Sequence, residues 1–282
     1  MAVDLTTGLA TGHGTDTLSN IDAVIGSAFD DQIAGDSYDN QFEGHAGNDL
    51  LTGGGGADTL DGEDGRDWLV GGTGADIEGG GDGHDSVWGG DGDDFLFGGP
   101  GDDTIVGNAG IDTAVYAGAS GAVWVDLSFI ESQDTHGAGW DTLFQVENLI
   151  GSSFADQLTG NAGANSLTGA GGADILTGNG GNDRFIFTAL GDSTVAAPDT
   201  ITDFGPGDRI DLHGIDANTA LGGYQPFHLG ATAGHAGDIV LAYDAGSNRT
   251  SVSLYVNGDT VADAVIFLAG SHLGLGTADF VL

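Results

Sequence analysis

The sequence predicts an all-β fold: a right-handed parallel β-roll in two runs, closed at one end by a β-rich cap. Two observations carry this prediction. An acidic or amide residue recurs every nine residues through the first third of the chain, with a glycine five positions before each one. An apolar residue follows two positions later in most units, which gives the nonapeptide Gly-Gly-x-Gly-x-Asp-x-U-x with U apolar. Such fixed self-similarity is typical of a parallel β-helix that binds calcium.

The acidic position of the repeat defines the candidate metal ligands. In the first run they are Asp31, Asn40, Asp49, Asp58, Asp67, Asp76, Asp85, Asp94, Asp103 and Asp112. The register returns later at Asp156, Asn165, Asp174 and Asp183. Aspartate and glycine are common in isolated turns, so one Gly-x-Asp would mean little. Ten consecutive units in strict register indicate a shared role.

Each nonapeptide is predicted to form a six-residue turn and a three-residue strand. Glycine permits the positive φ angles of a tight turn, and the apolar residue points inward because side chains alternate along a strand. Two nonapeptides then make one coil, with a strand on each side. Residues two repeats apart should stack, so that Asp49 lies over Asp67 and Asp58 over Asp76.

The stacked acidic turns are predicted to hold calcium, with about ten ions in all. Calcium takes six to eight oxygen ligands in flexible geometry, which suits carboxylates and backbone carbonyls better than the strict octahedron of magnesium does. The 282-residue chain has 43 acidic residues, four arginines, no lysine and a formal net charge of −39. Because the metal-free chain repels itself, metal binding and folding are expected to be coupled.

Composition excludes several classes of function. No basic patch exists to neutralise phosphate, so nucleic acid is not expected as a partner. The chain has no cysteine, which excludes disulfides and thiolate metal sites. No apolar run reaches the length of a membrane span, so membrane insertion is not expected.

A second, longer repeat divides the chain into two units. Val3-Asp4-Leu5 recurs as Val125-Asp126-Leu127, and 24–27 recurs as 149–152, each time shortly before nonapeptides. We predict a β lead-in of a truncated first unit at 1–25, a first β-roll at 26–115, a second lead-in at 116–150, a second β-roll at 151–185 and a cap at 186–282. Because the first lead-in lacks an equivalent of 116–124, the chain is expected to begin within a unit of a longer protein.

Some positions depart from the repeat. Phe29, Tyr38 and Phe154 replace the expected glycine at the fourth position, so those turns should have altered geometry. Asn40 and Asn165 lack a charge and should weaken their sites.

Two further departures concern the inward position. Glu78 occupies an apolar place, which indicates either a distorted register or a buried carboxyl with a raised pKa; we favour distortion. Ala114 is predicted to mark the fraying end of the first roll.

The last 95 or so residues show strand alternation and no long amphipathic helix. The predicted strands are 185–188, 200–204, 209–212, 239–243, 251–256 and 264–268. Because repeat proteins need caps, this region is predicted to close the roll.

The nonapeptides resemble those of the RTX proteins, which leave Gram-negative bacteria by type I secretion. The tail resembles the C-terminal domain of serralysin-type metalloproteases, and the motifs that carry this likeness are Asp183-Arg184-Phe185-Ile186-Phe187, Asp192-Ser193-Thr194, 198–204, 207–212, Tyr243-Asp244, Asn257-Gly258-Asp259 and Ala262-Asp263. The ending Asp279-Phe280-Val281-Leu282 is similar to the secretion signal of such proteases. The resemblance implies a calcium-binding extracellular module, with the type I secretion apparatus as a partner.

No catalytic motif is evident, so an enzyme is not expected in this chain. None of the eight histidines is followed by glutamate, which excludes the His-Glu-x-x-His motif of a metalloprotease. The first hypothesis is a secreted module that folds on extracellular calcium and supports a larger protein. The alternative is a calcium-dependent module that binds a polysaccharide or cell surface, as in alginate epimerases or surface layers. Trp68, Trp88, Trp124 and Trp140 could stack on sugars, although packing is the favoured role.

Overall fold

The computed structural model describes residues 1–12, 14–230 and 235–282. These residues form two compact units, and each is discontinuous in sequence. Unit one consists of Met1–Ser120 with Phe129–Asn148, and unit two of Gly121–Ser128 with Leu149–Leu282.

The described residues form 32 strands and one short 3₁₀ helix. The strands up to the end of the first run are β1 (Ala2–Asp4), β2 (Leu9–Thr11), β3 (Thr15–Thr17), β4 (Ala23–Ile25), β5 (Gln32–Ala34), β6 (Gln41–Glu43), β7 (Ala46–Gly47), β8 (Leu50–Gly55), β9 (Thr59–Asp61), β10 (Asp64–Gly65), β11 (Trp68–Thr73), β12 (Ile77–Gly79), β13 (Asp82–Gly83), β14 (Ser86–Asp91), β15 (Phe95–Phe97), β16 (Thr104–Ala109) and β17 (Thr113–Val115). The remaining strands are β18 (Trp124–Asp126), β19 (Gln133–Asp134), β20 (Trp140–Phe144), β21 (Asn148–Ile150), β22 (Gln157–Thr159), β23 (Ser166–Thr168), β24 (Ile175–Thr177), β25 (Arg184–Ile186), β26 (Thr200–Ile201), β27 (Arg209–Asp211), β28 (His228–Leu229), β29 (Asp238–Asp244), β30 (Arg249–Leu254), β31 (Ala264–Ala269) and β32 (Phe280–Val281), and the 3₁₀ helix is Thr277–Asp279.

Unit one is built around a parallel β-roll, and from β5 to β16 and from β4 to β17 its roll strands pair with partners 18 residues away. Leu69 pairs with Leu51 on one side and Val87 on the other, and the opposite sheet follows the same rule. The first sheet runs β19-β20-β16-β14-β11-β8-β5-β1-β2-β3, and the opposite sheet in this unit runs β17-β15-β12-β9-β6-β4. The predicted stacking of alternate nonapeptides, and with it the all-β roll, is therefore confirmed.

The two sides of the roll differ in strand length, which the repeat alone did not predict. The strands β8, β11, β14 and β16 are six residues long, whereas β9, β12 and β15 have three. The short strands β7, β10 and β13 form a third parallel sheet within the turns of one edge. On one side, therefore, part of the predicted turn is hydrogen-bonded as strand.

The inward positions form the core of the roll. Ile33, Phe42, Leu51 and Leu69 are completely buried, and with Val3 and Leu60 they form one apolar cluster. Each coil contributes two such side chains, so the interior is only two side chains wide.

Two expectations about the inward position were wrong. Glu78 pairs in unbroken register with Leu60 and Leu96 and is completely buried, so the register is not distorted. Ala114 is also completely buried and pairs with Leu96, so the first run does not fray there. In both cases the backbone ladder keeps its register although the side chain departs from the pattern.

Unit two begins with the same arrangement. Strand β18 pairs parallel to β22, with Trp124 opposite Gln157, as β1 pairs parallel to β5 in unit one, with Ala2 opposite Gln32. The predicted correspondence between the two lead-ins is thus present in the strand register. Two sheets follow, in the orders β32-β27-β25-β23-β21 and β18-β22-β24-β26-β31-β30-β29-β28.

The C-terminal region of unit two changes from parallel to antiparallel pairing. Strands β29, β30 and β31 are antiparallel neighbours, and β31 pairs parallel to β26 of the roll sheet. All six predicted strands of this region are present, and the two-residue strands β28 and β32 were not predicted. That the region closes the roll stays a prediction.

Candidate metal centre

The repeated acidic side chains form two ladders along the edges of the roll. On one edge, the backbone N–H of Asp31 donates to Oδ1 of Asp49 at 2.7 Å, and that of Asp49 donates to Asp67 at the same distance. On the other edge, the N–H of Asp58 donates to Oδ1 of Asp76 at 2.7 Å. All fourteen predicted positions are buried. The structure therefore brings the predicted residues together, each above its counterpart in the neighbouring coil.

The second carboxylate oxygen is left without a partner along most of unit one. Among the described residues, Oδ2 is buried and accepts no hydrogen bond in Asp49, Asp58, Asp67, Asp76, Asp85, Asp94, Asp103 and Asp112. In unit two the same holds for Asp174 and Asp199. A buried polar atom with no partner is costly, and a buried charge more so, unless something compensates it.

A glycine faces the second oxygen of each of these aspartates except Asp199. A Cβ on Gly80 would lie 2.7 Å from Oδ2 of Asp85 and 2.6 Å from the carbonyl oxygen of Gly98. A Cβ on Gly53 would overlap Oδ2 of Asp58 and lie 2.7 Å from the carbonyl oxygen of Gly71. A carboxylate and a carbonyl from the next coil therefore converge on a space that any side chain would fill.

The donor set fits the predicted calcium. The converging atoms are carboxylate and carbonyl oxygens, the ligands that hard divalent cations such as calcium prefer. Burial raises the pKa of Asp67 to about 7 and that of Asp103 to about 8, although a backbone N–H hydrogen bond to each carboxylate acts in the opposite direction. Nearby carboxylates, such as Asp85 beside Asp67, raise the pKa further.

The first turn of each run is different. Ser27 donates its backbone N–H to Oδ2 of Asp31 at 2.5 Å, and Ser152 does the same to Asp156 at 2.5 Å. The Ser152 hydroxyl donates to Oδ1 of Asp156 at 2.7 Å. These carboxylates are satisfied by protein donors. That the aromatic residues at the fourth position alter the geometry of their turns stays a prediction.

The two asparagines are also held by their own turns. Oδ1 of Asn40 accepts the N–H of Asp36 at 3.0 Å, and Oδ1 of Asn165 accepts that of Asn161 at 2.8 Å. That Asn40 and Asn165 weaken their sites stays a prediction, as does the metal role of each of the fourteen residues.

Four acidic residues that the nine-residue spacing missed extend the ladders. Asp141 accepts the N–H of Asp103, and Glu147 accepts that of Asp112. Asp199 accepts the N–H of Asp174 at 2.9 Å, and Asp208 that of Asp183 at 2.9 Å. Burial raises the pKa of Asp199 to about 8. All four carried a signal, since a buried apolar residue stands two positions after each acid: Leu143, Leu149, Ile201 and Ile210.

A separate polar group lies on the outer edge of unit one. One ligand atom each from Glu43, His45 and Glu63 lies within 4.8 Å of the others. Nδ1 of His45 is 2.9 Å from Oε2 of Glu63, and this hydrogen bond raises the pKa of His45. His45 is partly exposed, as a turn position predicts.

Comparison with known proteins identifies the family. The model for the peptidase M10 serralysin C-terminal domain matches residues 21–282. The chain belongs to this family. The matched family corresponds to the non-catalytic C-terminal part of serralysin-type proteases, and membership implies calcium binding in general.

Relatives of the family share part of this chain. It is 44% identical over 87 residues to the metalloprotease AprA of Pseudomonas entomophila, a stretch that covers 30% of this chain and 18% of AprA. It is 34% identical over 99 residues to serralysin C of Dickeya chrysanthemi, covering 35% and 19% of the two chains. The chain thus spans about a fifth of the length of these relatives.

Two solved structures are similar at low identity. The AlgE6R3 subunit of the Azotobacter vinelandii mannuronan C5-epimerase has 19% identity and a TM-score of 0.31, over 71% of this chain and 78% of that one. The extracellular lipase LipA of Serratia marcescens has 17% identity and a TM-score of 0.28, over 95% and 40%. Within the residues that the structure describes, no helix has the length and apolar character needed to cross a membrane.

Proposed function

We propose that this chain is a calcium-binding RTX module of a type I-secreted bacterial protein, which folds outside the cell and supports a larger protein. The observation that carries the proposal is the set of buried, unpartnered Oδ2 atoms in the ladders of both units. Bound calcium would supply the positive charge that these oxygens lack. The residues that would hold it are the ladder aspartates and the glycine carbonyls opposite them.

The charge of the chain provides the switch. With a formal net charge of −39 and a core only two side chains wide, the metal-free chain is expected to stay expanded. Extracellular calcium modules have dissociation constants of about 10⁻⁴ to 10⁻³ M, so cytosolic calcium would leave the ladders unfilled. The chain then remains open for export and folds in the medium.

Circular dichroism during a calcium titration tests the folding half of the proposal. Starting in chelator, the β signal should rise as calcium passes about 10⁻⁴ to 10⁻³ M. Magnesium is the matched control and should give a much weaker response, because it demands a smaller octahedral shell. A chain that is equally β-rich in chelator would contradict the proposal.

The export half is tested separately in a Gram-negative host. The chain should reach the medium only when a type I apparatus is co-expressed, and it should stay inside cells whose apparatus lacks its ATPase. The segment proposed to be recognised is Asp279-Phe280-Val281-Leu282. In the folded unit, β32 pairs with β27 and Phe280 is buried, so recognition requires the open chain. Retention of the chain despite a working apparatus would contradict export.

A second candidate function, binding of a polysaccharide, is favoured by the outer surface of unit one. Trp68 is 50% exposed and stacks on Trp88 with 6.0 Å between ring centroids, and Trp140 is 54% exposed. Packing therefore does not cover the rings of Trp68 and Trp140, whereas Trp88 is half-buried, and Trp124 of unit two is also exposed. Retention on immobilised alginate in calcium, lost in a Trp68→Ala/Trp140→Ala variant, would support this candidate. Retention equal to that of a calcium-free control would contradict it.

A further inference from the structure

Glu78 is a carboxylate in the apolar interior of the roll. It occupies the inward position of β12, between Leu60 and Leu96 in the neighbouring coils. Its side chain is completely buried, and neither carboxylate oxygen has a hydrogen-bond partner among the described residues. Leucine fills this place above and below, so packing alone does not call for glutamate.

The Glu78 carboxylate points at one of the spaces described above. A Cβ on Gly71 would overlap both Oε1 of Glu78 and Oδ2 of Asp76, and it would lie 2.7 Å from the carbonyl oxygen of Gly89. Three oxygens from three parts of the chain therefore converge there. Glu78 lies in β12, Asp76 lies in the turn before that strand, and the carbonyl of Gly89 belongs to the next coil.

The neighbouring sites on this edge contain one carboxylate each. A Cβ on Gly53 would meet Asp58, and one on Gly89 would meet Asp94, with no second acid among the nearest atoms of either. The site at Gly71 thus differs from its neighbours by one carboxyl group. That group comes from inside the roll and not from its edge.

We propose that Glu78 is a metal ligand that adds a second carboxylate to the site formed by Asp76 and the Gly89 carbonyl. The inference rests on the proposed function, since it assumes that calcium fills the ladders. Ligand charge sets calcium affinity in proteins, so this site binds more tightly than its neighbours and fills first. Filling it fixes two adjacent coils and makes this part of the roll the place where folding begins.

The test compares Glu78→Leu and Glu78→Gln with the unchanged chain in calcium titrations followed by circular dichroism and calorimetry. Both variants should raise the calcium concentration at the folding midpoint by about threefold or more, because a charged ligand is lost. Calorimetry should lose its tightest binding step in both. Glu78→Gln keeps the shape of the side chain and removes only the charge.

If Glu78 has no metal role, the calcium titrations should give the opposite result. Replacing an unpartnered buried carboxyl with leucine should then stabilise the roll, so Glu78→Leu would fold at the same or a lower calcium concentration. That outcome, or unchanged binding by Glu78→Gln, would overturn the inference and leave the proposed function intact. If the unchanged chain itself shows no calcium-dependent folding, the proposed function fails instead.

Discussion

Asp67 in unit one and Asp156 in unit two occupy the same place in the repeat, yet their second oxygens have different surroundings. Oδ2 of Asp67 has no partner, whereas Oδ2 of Asp156 accepts the N–H of Ser152. Seven other ladder carboxylates of unit one share this feature with Asp67, whereas among the described ladder residues of unit two only Asp174 and Asp199 do so. The demand for a cation is therefore concentrated in unit one.

Unit two has other means of stabilisation. Its antiparallel strands β29, β30 and β31 bury apolar side chains, including Val252, Leu254 and Ile266, without acidic ladders between them. Protein hydrogen bonds satisfy the first carboxylate of its run. The comparison indicates that the second oxygen of a ladder carboxylate either lacks a protein partner, as the proposed calcium requires, or accepts a protein donor, and that the two units differ in the proportion of each.

Removal of calcium should have the largest effect and should separate the units. In chelator, the ladder strands β11 and β14 should lose protection from amide hydrogen exchange by several orders of magnitude, because buried like charges are left uncompensated. Strands β30 and β31 should lose less. Mass spectrometry of exchanged peptides measures both regions in one sample. Equal loss of protection in both would contradict the inferred difference between the two units.

Gly53→Ala should have the next largest effect. Its Cβ would occupy the space between Asp58 and the Gly71 carbonyl, so the variant should lose that site and destabilise unit one by roughly 3 kcal/mol or more from overpacking and lost binding. Gly171→Ala is the matched control, since its Cβ would come no closer than 3.8 Å to Ser153. Chemical denaturation in calcium measures the free energy of unfolding of both variants. Equal destabilisation by the two would argue against a cation site between Asp58 and the Gly71 carbonyl.

Asp67→Asn tests the ladder charge itself. The amide can keep the hydrogen bond to Asp49 but binds calcium poorly, so the variant should lose about 2–3 kcal/mol in calcium at a hundred times the dissociation constant. In chelator it should be neutral or stabilising, because a buried charge is removed. Asp156→Asn should depend less on calcium than Asp67→Asn does and destabilise unit two by about 1 kcal/mol, mainly through lost hydrogen bonds, because protein donors already satisfy the oxygens of Asp156. A calcium-independent effect of Asp67→Asn would contradict the assignment.

The smallest expected effect is on the pH dependence of the metal-free chain. Burial raises the pKa of Asp67 to about 7 and of Asp103 to about 8, so the folded state binds more protons than the unfolded state between about pH 4 and 8. Stability in chelator should therefore increase as the pH falls through this window. Calcium affinity should fall over the same window, since protons compete for the same oxygens. Small-angle scattering in chelator at pH 8 and pH 5 measures the compaction, and expansion at pH 5 would contradict it.

Much of the roll could be predicted from sequence, because every nonapeptide has its glycine, acidic and apolar residues at the same positions. The inward apolar residue and the acid two positions earlier specify which side chains stack, so Asp49 and Asp67 could be paired without a structure. Asp199 and Asp141 were not predicted, because 25 residues separate Asp199 from Asp174 and 38 separate Asp141 from Asp103. Neither separation is a multiple of nine. Only the backbone register restores them to the ladder.

The environment of each carboxylate could not be predicted. The backbone N–H hydrogen bonds that Ser27 and Ser152 donate depend on the local conformation of the chain. The residue types alone do not specify that conformation. Glu78 appeared to interrupt the pattern, because it was compared only with the apolar residues at the same position of the other repeats. Its meaning depends on Gly71, seven residues away, and on the neighbouring coil.

The hydrogen bonds between residues 18 apart also restrict how the length of this chain can change. Insertion or deletion of two whole nonapeptides adds or removes one complete coil and leaves every later residue on its original edge. A single nonapeptide would move all later turns to the opposite side of the roll and exchange its long strands with its short ones. Natural variants that differ in the number of repeats should therefore differ mainly by multiples of 18 residues, so that the number of proposed calcium sites grows in steps of two.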